Sequence, residues 1–262
     1  HLSIRRQRQM CIRDSPKLAA KLNKELEGDA LFDKFSRGRY STDASIYQIE
    51  PIGTVVPKSG ADVERTISIA KEEGIPILPR GGGTSQGGQV LGEALIIDTS
   101  KYLTRIFEFD TTNRTVDVEP GVVLDDLNRA LKPHKLFFPV DISTGSRATI
   151  GGMAGNNACG SRSIRYGNMV HNVSGIDAIL SDGTNAHFGH VPGNLGDISG
   201  PNSYLDLIST VRDIATRERD EIDLRYPDLL RNVGGYNLNL VDPAGHNLAQ
   251  LLVGSEGTLA YF

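Results

Sequence analysis

The sequence is poor in cysteine: Cys11 and Cys159 are its only two among 262 residues. Two thiols alone argue against a disulfide framework, and without CxxC spacing they fit no cysteine-built metal pattern. No apolar run approaches the roughly eighteen residues needed to cross a bilayer as a helix. Basic charge is not in excess either, since 28 Lys and Arg stand against 32 Asp and Glu for a net charge of −4. That balance argues against a dedicated nucleic-acid binder and against a polybasic membrane-surface protein. The six histidines show no ligand spacing, and His187 and His190 lie beside a Gly-Pro loop with no acidic partner implied, so no metal site is expected. There is no internal repeat and no low-complexity tract. The chain also opens without a methionine. Residues 1–15 carry four arginines and one aspartate without periodicity, and they read as a foreign or disordered extension in preference to an Arg-rich targeting leader. The closing Leu259-Ala260-Tyr261-Phe262 reads as a strand, so the sequence is expected to be a fragment cut mid-domain, from a soluble cytoplasmic protein.

What is present in quantity is glycine, 29 residues, and it is clustered. Around the clusters the pattern is mixed. A short helix is expected from Pro16 to about Leu26 within a lead-in over 16–45, followed by a polar, irregular stretch from Leu31 to Tyr40. Thr54-Val55-Val56 reads as a strand and Ser59-Gly60-Ala61-Asp62 as a capping box. Val63, Ile67 and Ala70 fall on one helical face, Gly74 stops the helix, and Ile75-Pro76-Ile77-Leu78 is a second strand. This βαβ unit requires parallel strands, and Ala94 to Asp98 adds a third. Further on, Ile106 to Asp110 and Thr115 to Glu119 read as a hairpin turning at Thr112-Asn113. Leu124, Leu127 and Leu131 mark a helix ending before Pro133, and Leu136 to Val140 is extended. Asp141 to about Gly167 reads as one long glycine-dense loop. Ile176 to Leu180 and Ala186 to Phe188 form a hairpin on an Asp182-Gly183 turn, and 203–231 carries a charged helix whose charges read as a solvated face. The class is α+β.

Two loops suggest chemistry. The first, Pro79-Arg80-Gly81-Gly82-Gly83-Thr84-Ser85-Gln86-Gly87-Gly88-Gln89, follows a strand directly. Successive glycines let backbone N–H groups approach an anion, Thr84 and Ser85 add hydroxyls, and Arg80 adds charge, so a phosphate or pyrophosphate is the natural guest. Three glycines alone are equally compatible with a flexible turn. The loop lacks the Gly-Lys-Ser/Thr of a P-loop and the third glycine of G-x-G-x-x-G, because the sixth position counted from Gly81 is Gln86. The second loop, Ser143-Thr144-Gly145-Ser146-Arg147-Ala148-Thr149-Ile150-Gly151-Gly152-Met153-Ala154-Gly155-Asn156-Asn157-Ala158-Cys159-Gly160, has the same small, donor-rich character. Two such loops some sixty residues apart suit an extended dinucleotide held at both ends.

Arg80-Gly81-Gly82-Gly83-Thr84-Ser85, Gly151-Gly152-Met153-Ala154-Gly155-Asn156-Asn157, Arg165-Tyr166-Gly167, Gly235-Tyr236 and Gly254-Ser255-Glu256-Gly257-Thr258-Leu259 occur in an order and spacing that resembles the FAD-binding (PCMH-type) domain of the vanillyl-alcohol oxidase superfamily. Within it, the sequence is most similar to D-lactate, glycolate and D-2-hydroxyglutarate dehydrogenases. The resemblance covers about 45–262. It implies a PCMH-type fold over 46–262, made of α+β subdomains at about 46–100 and 101–262 with FAD between them. It implies that Pro79, Arg80, Gly81, Gly82, Gly83, Thr84, Ser85, Gly88 and Gln89 hold the pyrophosphate. Pro139, Ser143, Thr144, Gly145, Ser146, Ala148, Thr149, Gly151, Gly152, Asn156, Asn157 and Gly160 would wrap the pyrophosphate and flavin side. Tyr166 would stack on or hydrogen-bond the flavin or, equally, pack in the core, Gly167 would lie near the flavin, Ile176 would touch the adenine through its backbone, and Glu256 and Gly257 would sit beside the cofactor.

The resemblance also implies the reaction, oxidation of a D-2-hydroxy acid by hydride transfer to FAD, with electrons passing to an iron–sulfur domain, a quinone or a flavoprotein. Some relatives attach FAD through a histidine at the position held here by Gly83, so non-covalent FAD is expected, with His171 a minor alternative. The base and the carboxylate clamp would come from a C-terminal cap beyond residue 262, leaving no catalytic residue to name. Other oxidases or reductases on this fold, acting on sugar lactones, aryl alcohols or cell-wall precursors, remain open, as does a nucleotide-binding module without chemistry. Cys159 reads first as a small buried thiol. Arg162 and Arg165 read as surface ion-pair residues or, alternatively, as partners of a phosphate or substrate carboxylate.

Overall fold

The computed structural model describes residues 16–229 and 231–262. The expectations for 1–15, Cys11 included, lie outside the described residues. The chain divides into two compact units. Unit one holds the described residues up to Glu108 with Val116–Leu127 and Ser146–Gly152, and unit two holds Phe109–Thr115, Asn128–Gly145 and Met153–Phe262.

Unit one begins with α1 (Pro16–Glu25), β1 (Asp29–Leu31) and α2 (Lys34–Arg39), followed by β2 (Gly53–Val56), α3 (Gly60–Glu73), β3 (Ile77–Arg80) and β4 (Leu95–Asp98). The stretch read as irregular at 31–40 thus contains the end of a strand and a helix. β1 exists because β2 pairs with it, antiparallel, from Asp29↔Val56 to Leu31↔Thr54. The α2 turn exists because Asp33 accepts the N–H of Ser36 at 2.9 Å, an N-cap that a three-residue spacing hides. The sheet order is β1-β2-β4-β3, with β4 parallel to both neighbours, so the expected parallel strands are present with β4 inserted between β2 and β3. β2 and β4 are buried at every residue, as strands covered on both faces must be.

α3 follows its sequence signals closely. Ser59 caps it by accepting the Asp62 N–H at 3.3 Å, Val63, Ile67 and Ala70 are buried, and Gly74 closes it at φ +63°. Asp62 differs from the expected capping box. Its carboxylate does not reach back to Ser59 but accepts the N–H groups of Glu27, Gly28 and Lys58, each at 2.9 Å. It thereby fastens the chain after α1 to the start of α3. Leu18 and Leu22 of α1 pack with Ile69 and Ala70 of α3 against Val55 and Leu95 of the sheet. β3 starts two residues later than expected because the N–H of Ile75 is spent on Ala70 O at the helix end, 2.8 Å away.

Next in the chain, β5 (Ile106–Asp110) and β6 (Thr115–Val118) pair as a two-stranded sheet, and α4 spans Leu124–Leu131. The expected long loop contains α5 (Ile150–Asn156) and α6 (Ser163–Tyr166).

In unit two, β7 (Ile176–Ile179) and β8 (Asn185–Phe188) form the expected hairpin, with Gly183 at φ +95° in its turn. β9 (His190–Pro192) pairs antiparallel with β10 (Gly245–Asn247). The charged helix is two helices, α7 (Asn202–Arg217) and α8 (Arg219–Arg225), and α9 spans Ala249–Leu252. The closing strand contributes a single bridge, Tyr261 to Ile179. Phe188, Val191, Ile208, Leu248 and Leu252 form the core.

Not all of the α7 charge is solvated. Arg212 is buried, and its guanidinium donates to Pro192 O and Gly193 O at 2.7 Å each. Buried His246 bonds Asp242 O through Nδ1 at 2.9 Å, and its pKa is pushed below the usual imidazole value by burial first, with Arg212 and His190 adding to the effect while Asp242 opposes it. The folded chain therefore binds a proton at His246 less readily than the unfolded chain. The stability this confers is complete above about pH 6.5 and is lost as the pH falls toward the depressed folded value. Urea unfolding of the wild type and of His246→Gln at about pH 7.5 and pH 5.5 checks this, and the variant is expected to lose less stability on acidification.

Candidate functional site

Within unit one, the first glycine loop and the start of the second touch each other. A Cβ on Gly81 would lie 2.1 Å from Thr149 Oγ1, and one on Gly82 would lie 2.3 Å from Arg147 O. Either distance is far inside van der Waals contact, so only glycine lets the segments meet. The second segment is held from behind by Ile150 N–H to Val122 O at 2.8 Å and Gly151 N–H to Pro120 O at 2.9 Å, and Thr149 Oγ1 accepts the Gly152 N–H at 3.3 Å. Gly151 in turn leaves no room for a Cβ, which would meet Pro120 at 2.6 Å.

Among the described residues, the backbone N–H groups of Gly81, Gly82, Gly83, Thr84 and Ser85 donate to no protein acceptor, nor do those of Ser146, Arg147, Ala148 and Thr149. The hydroxyls of Thr84 and Ser85 are likewise without a protein partner. Backbone donors are obligatory hydrogen-bonding groups. A run of them beside a second run makes a nest for an anion with several oxygens, so the residues present fit a pyrophosphate. Gly88 closes the far end of the loop at φ +78°, where Gln89 Oε1 accepts the Gly87 N–H at 3.0 Å. Pro79 is half-buried at the end of β3. The Arg80 guanidinium is engaged elsewhere, donating to Thr42 O at 2.8 Å and to Tyr40 O at 3.5 Å.

Within unit two, the remaining part of the second loop meets the Gly254–Gly257 motif. Gly254 N–H donates to Ala154 O and Glu256 N–H to Gly155 O, both at 2.9 Å, and Asn156 Nδ2 donates to Glu256 Oε1 at 2.8 Å. Glu256 and Gly257 both have positive φ, +52° and +75°. Asn157 is fully buried at φ +51°, and its Oδ1 accepts the Val170 N–H at 3.0 Å, so its side chain is spent on structure. Gly160 packs on Asp141 so closely that a Cβ would overlap its carbonyl oxygen. Gly145 is buried and bonds back to Ile142 O, while Ser143 and Thr144 are more open and Pro139 is half-buried.

Tyr166 lies edge-on to Phe137 with centroids 5.8 Å apart. Arg162 stands over Phe137 and Arg165 over Tyr166, each at 5.4 Å. Gly167, at φ +77°, lies against the His171 ring, whose Nδ1 accepts the Asn168 N–H at 3.0 Å. Ile176 opens β7 opposite Phe188. Cys159 is a half-buried free thiol. His187 has the acidic partner that spacing did not imply, Asp177 at 2.7 Å, but no group of three or more His, Cys, Asp or Glu suited to a metal ion is found among the described residues. No described helix is long and apolar enough to cross a membrane.

The sequence reading missed Tyr40, Thr42, Ala44 and Asp98, which lie behind the first loop, and the Pro120-Gly121 turn, which backs the second. Nothing local marks them, because their partners are remote in sequence.

Residues 51–189 match a family described as an FAD binding domain. D-2-hydroxyglutarate dehydrogenase of Haemophilus influenzae is 37% identical over 246 residues, covering 90% of this chain and 24% of the relative. Glycolate oxidase subunit GlcD of Bacillus subtilis is 30% identical over 239 residues, 90% of this chain and 41% of the relative. The chain thus spans about a quarter of the length of the first of these relatives. Among solved structures, Physcomitrella patens BBE-like 1 aligns with a TM-score of 0.59 at 22% identity, covering 66% of this chain and 38% of the other. An alkyldihydroxyacetonephosphate synthase aligns with a TM-score of 0.59 at 19% identity, covering 64% and 34%. With a family match over more than half its length, this α+β chain belongs to the PCMH-type FAD-binding domain family.

Proposed function

We propose that the chain holds FAD non-covalently for a dehydrogenase of D-2-hydroxy acids, with 2-hydroxyglutarate the leading substrate. The observation that carries the reading is the run of unpaired N–H groups from Gly81 to Ser85 beside those from Ser146 to Thr149, which suits the pyrophosphate. Bound FAD would supply the hydride acceptor that turns a 2-hydroxy acid into its 2-oxo acid. The chain's own part is to orient the cofactor and exclude water around its phosphates. Tyr166, Gly167, Glu256 and Gly257 would lie toward the flavin and Ile176 toward the adenine. The substrate reading is supported by the relatives' names and their identity to this chain. Electrons would leave for an iron–sulfur, quinone or flavoprotein acceptor.

Non-covalent attachment is favoured by two observations. Gly83 offers no side chain to bond, and His171 Nδ1 is already an acceptor within the protein. The purified chain, supplied with FAD, is expected to show flavin absorption and to release all of it into the supernatant on acid precipitation. Flavin in the pellet would overturn the non-covalent reading, and a folded chain that takes up none would overturn the cofactor assignment. Gly82→Val must push Arg147 away, and it should weaken FAD binding at least about tenfold in a fluorescence titration.

A further inference from the structure

Arg80 is the residue that sequence reasoning joins to the phosphates by charge, yet its guanidinium turns behind the loop. It donates to the carbonyls of Thr42 and Tyr40 and stands over the Tyr40 ring, 5.3 Å from its centroid. The Tyr40 hydroxyl donates to Asp98 Oδ2 at 2.7 Å, and Asp98 Oδ1 is fixed by the Ser100 N–H at 2.9 Å. Both Tyr40 and Asp98 are buried. At the other end of this chain of contacts, a Cβ on Gly83 would lie 2.7 Å from Arg80 Nη2, and Gly83 O accepts the Ala44 N–H at 3.1 Å. The glycine loop is therefore seated on the 40–44 segment at Gly83, while Tyr47 lies against Gly88 further along.

We propose that Arg80 is a positioning residue and not a phosphate ligand: with Tyr40 and Asp98 it clamps residues 40–44 behind the glycine loop and so sets the N–H groups that receive the anion. The inference rests on the FAD reading for its ligand but not for the clamp itself. Two physical facts favour it. First, among the described residues Arg80 has no ion-pair partner within salt-bridge distance. Burial pushes its pKa down, with Asp98, Tyr40 and Asp43 opposing that shift without touching it as ion pairs. Its guanidinium is spent instead on two carbonyls and the Tyr40 ring behind the loop, which suits holding that segment in place. Second, burial and the Asp98 carboxylate raise the Tyr40 hydroxyl above its ordinary value, so it remains a donor at any working pH.

The test uses the full chain as wild type, Tyr40→Phe, Arg80→Lys and the double variant. Tyr40→Phe removes only the hydroxyl bonded to Asp98. Arg80→Lys keeps the charge but cannot donate to two carbonyls in a fixed fork. Each single variant should raise the FAD dissociation constant at least about tenfold, and the double variant should be no weaker than the worse single one, since the residues act as a unit. In the FAD-free chain, amide exchange should accelerate in both variants at Ala44 and Ile49, whose N–H groups bond Gly83 O and Ser41 O. Exchange in α3 should stay unchanged and reports that the fold survives. If Tyr40→Phe disturbs α3 as well, Asp98→Ala, which removes the acceptor of the Tyr40 hydroxyl, takes its place.

The clamp is overturned if Tyr40→Phe binds FAD like the wild type, if the two substitutions multiply in the double variant, or if Arg80→Lys loses FAD with exchange at Ala44 unchanged. A wild-type chain that binds no FAD would sink the functional reading alone, because exchange at Ala44 and Ile49 in the variants still decides the clamp.

Discussion

Where Gly82 meets the Arg147 carbonyl, two stretches of backbone lie closer than any side chain permits, and Gly81 beside it lies against the Thr149 hydroxyl. The arrangement of unit one around that point follows from this contact. β3 delivers the first stretch from the parallel sheet. The second is delivered by the backbone bonds of Ile150 and Gly151 to Val122 and Pro120. Because each stretch is held from behind and neither spends its N–H groups on the other, the donors stay free for a ligand. A Cβ at either glycine would separate the stretches, and a bonded partner for the amides would fill the nest from within.

How much of this is legible in the sequence depends on how local each cause is. α3 reads correctly because Ser59, the 3.6-residue apolar period and Gly74 are all its own residues. The hairpin at Asp182-Gly183 reads correctly for the same reason. β1 and α2 do not, since a three-residue strand needs β2 to exist and a six-residue helix needs its cap. α5 is the sharper case. With Gly151, Gly152 and Gly155 it has little helix propensity, and it looks like loop. Its first N–H groups are taken by Val122 and Pro120, and its end by the Ala158 N–H bonding Met153 O at 2.9 Å, so tertiary partners set its conformation. Arg212 shows the same limit for charge, because a polar helix face gives no sign that one guanidinium is needed to bind two carbonyls.

The candidate site divides along the same line. Glycine clusters are visible because only glycine tolerates such approach, and they identify both loops. The supports behind them, Tyr40, Asp98 and the Pro120-Gly121 turn, are ordinary residues made important by position. Sequence reasoning therefore reads the glycine-lined surface and misses what holds that surface in shape.

The most direct test of the account follows the amides themselves, by recording backbone 1H–15N spectra of the chain as FAD is added. The account predicts that the largest shifts fall on Gly81 through Ser85 and on Ser146 through Thr149. FAD binding that leaves those amides unmoved, with its shifts elsewhere, would contradict it.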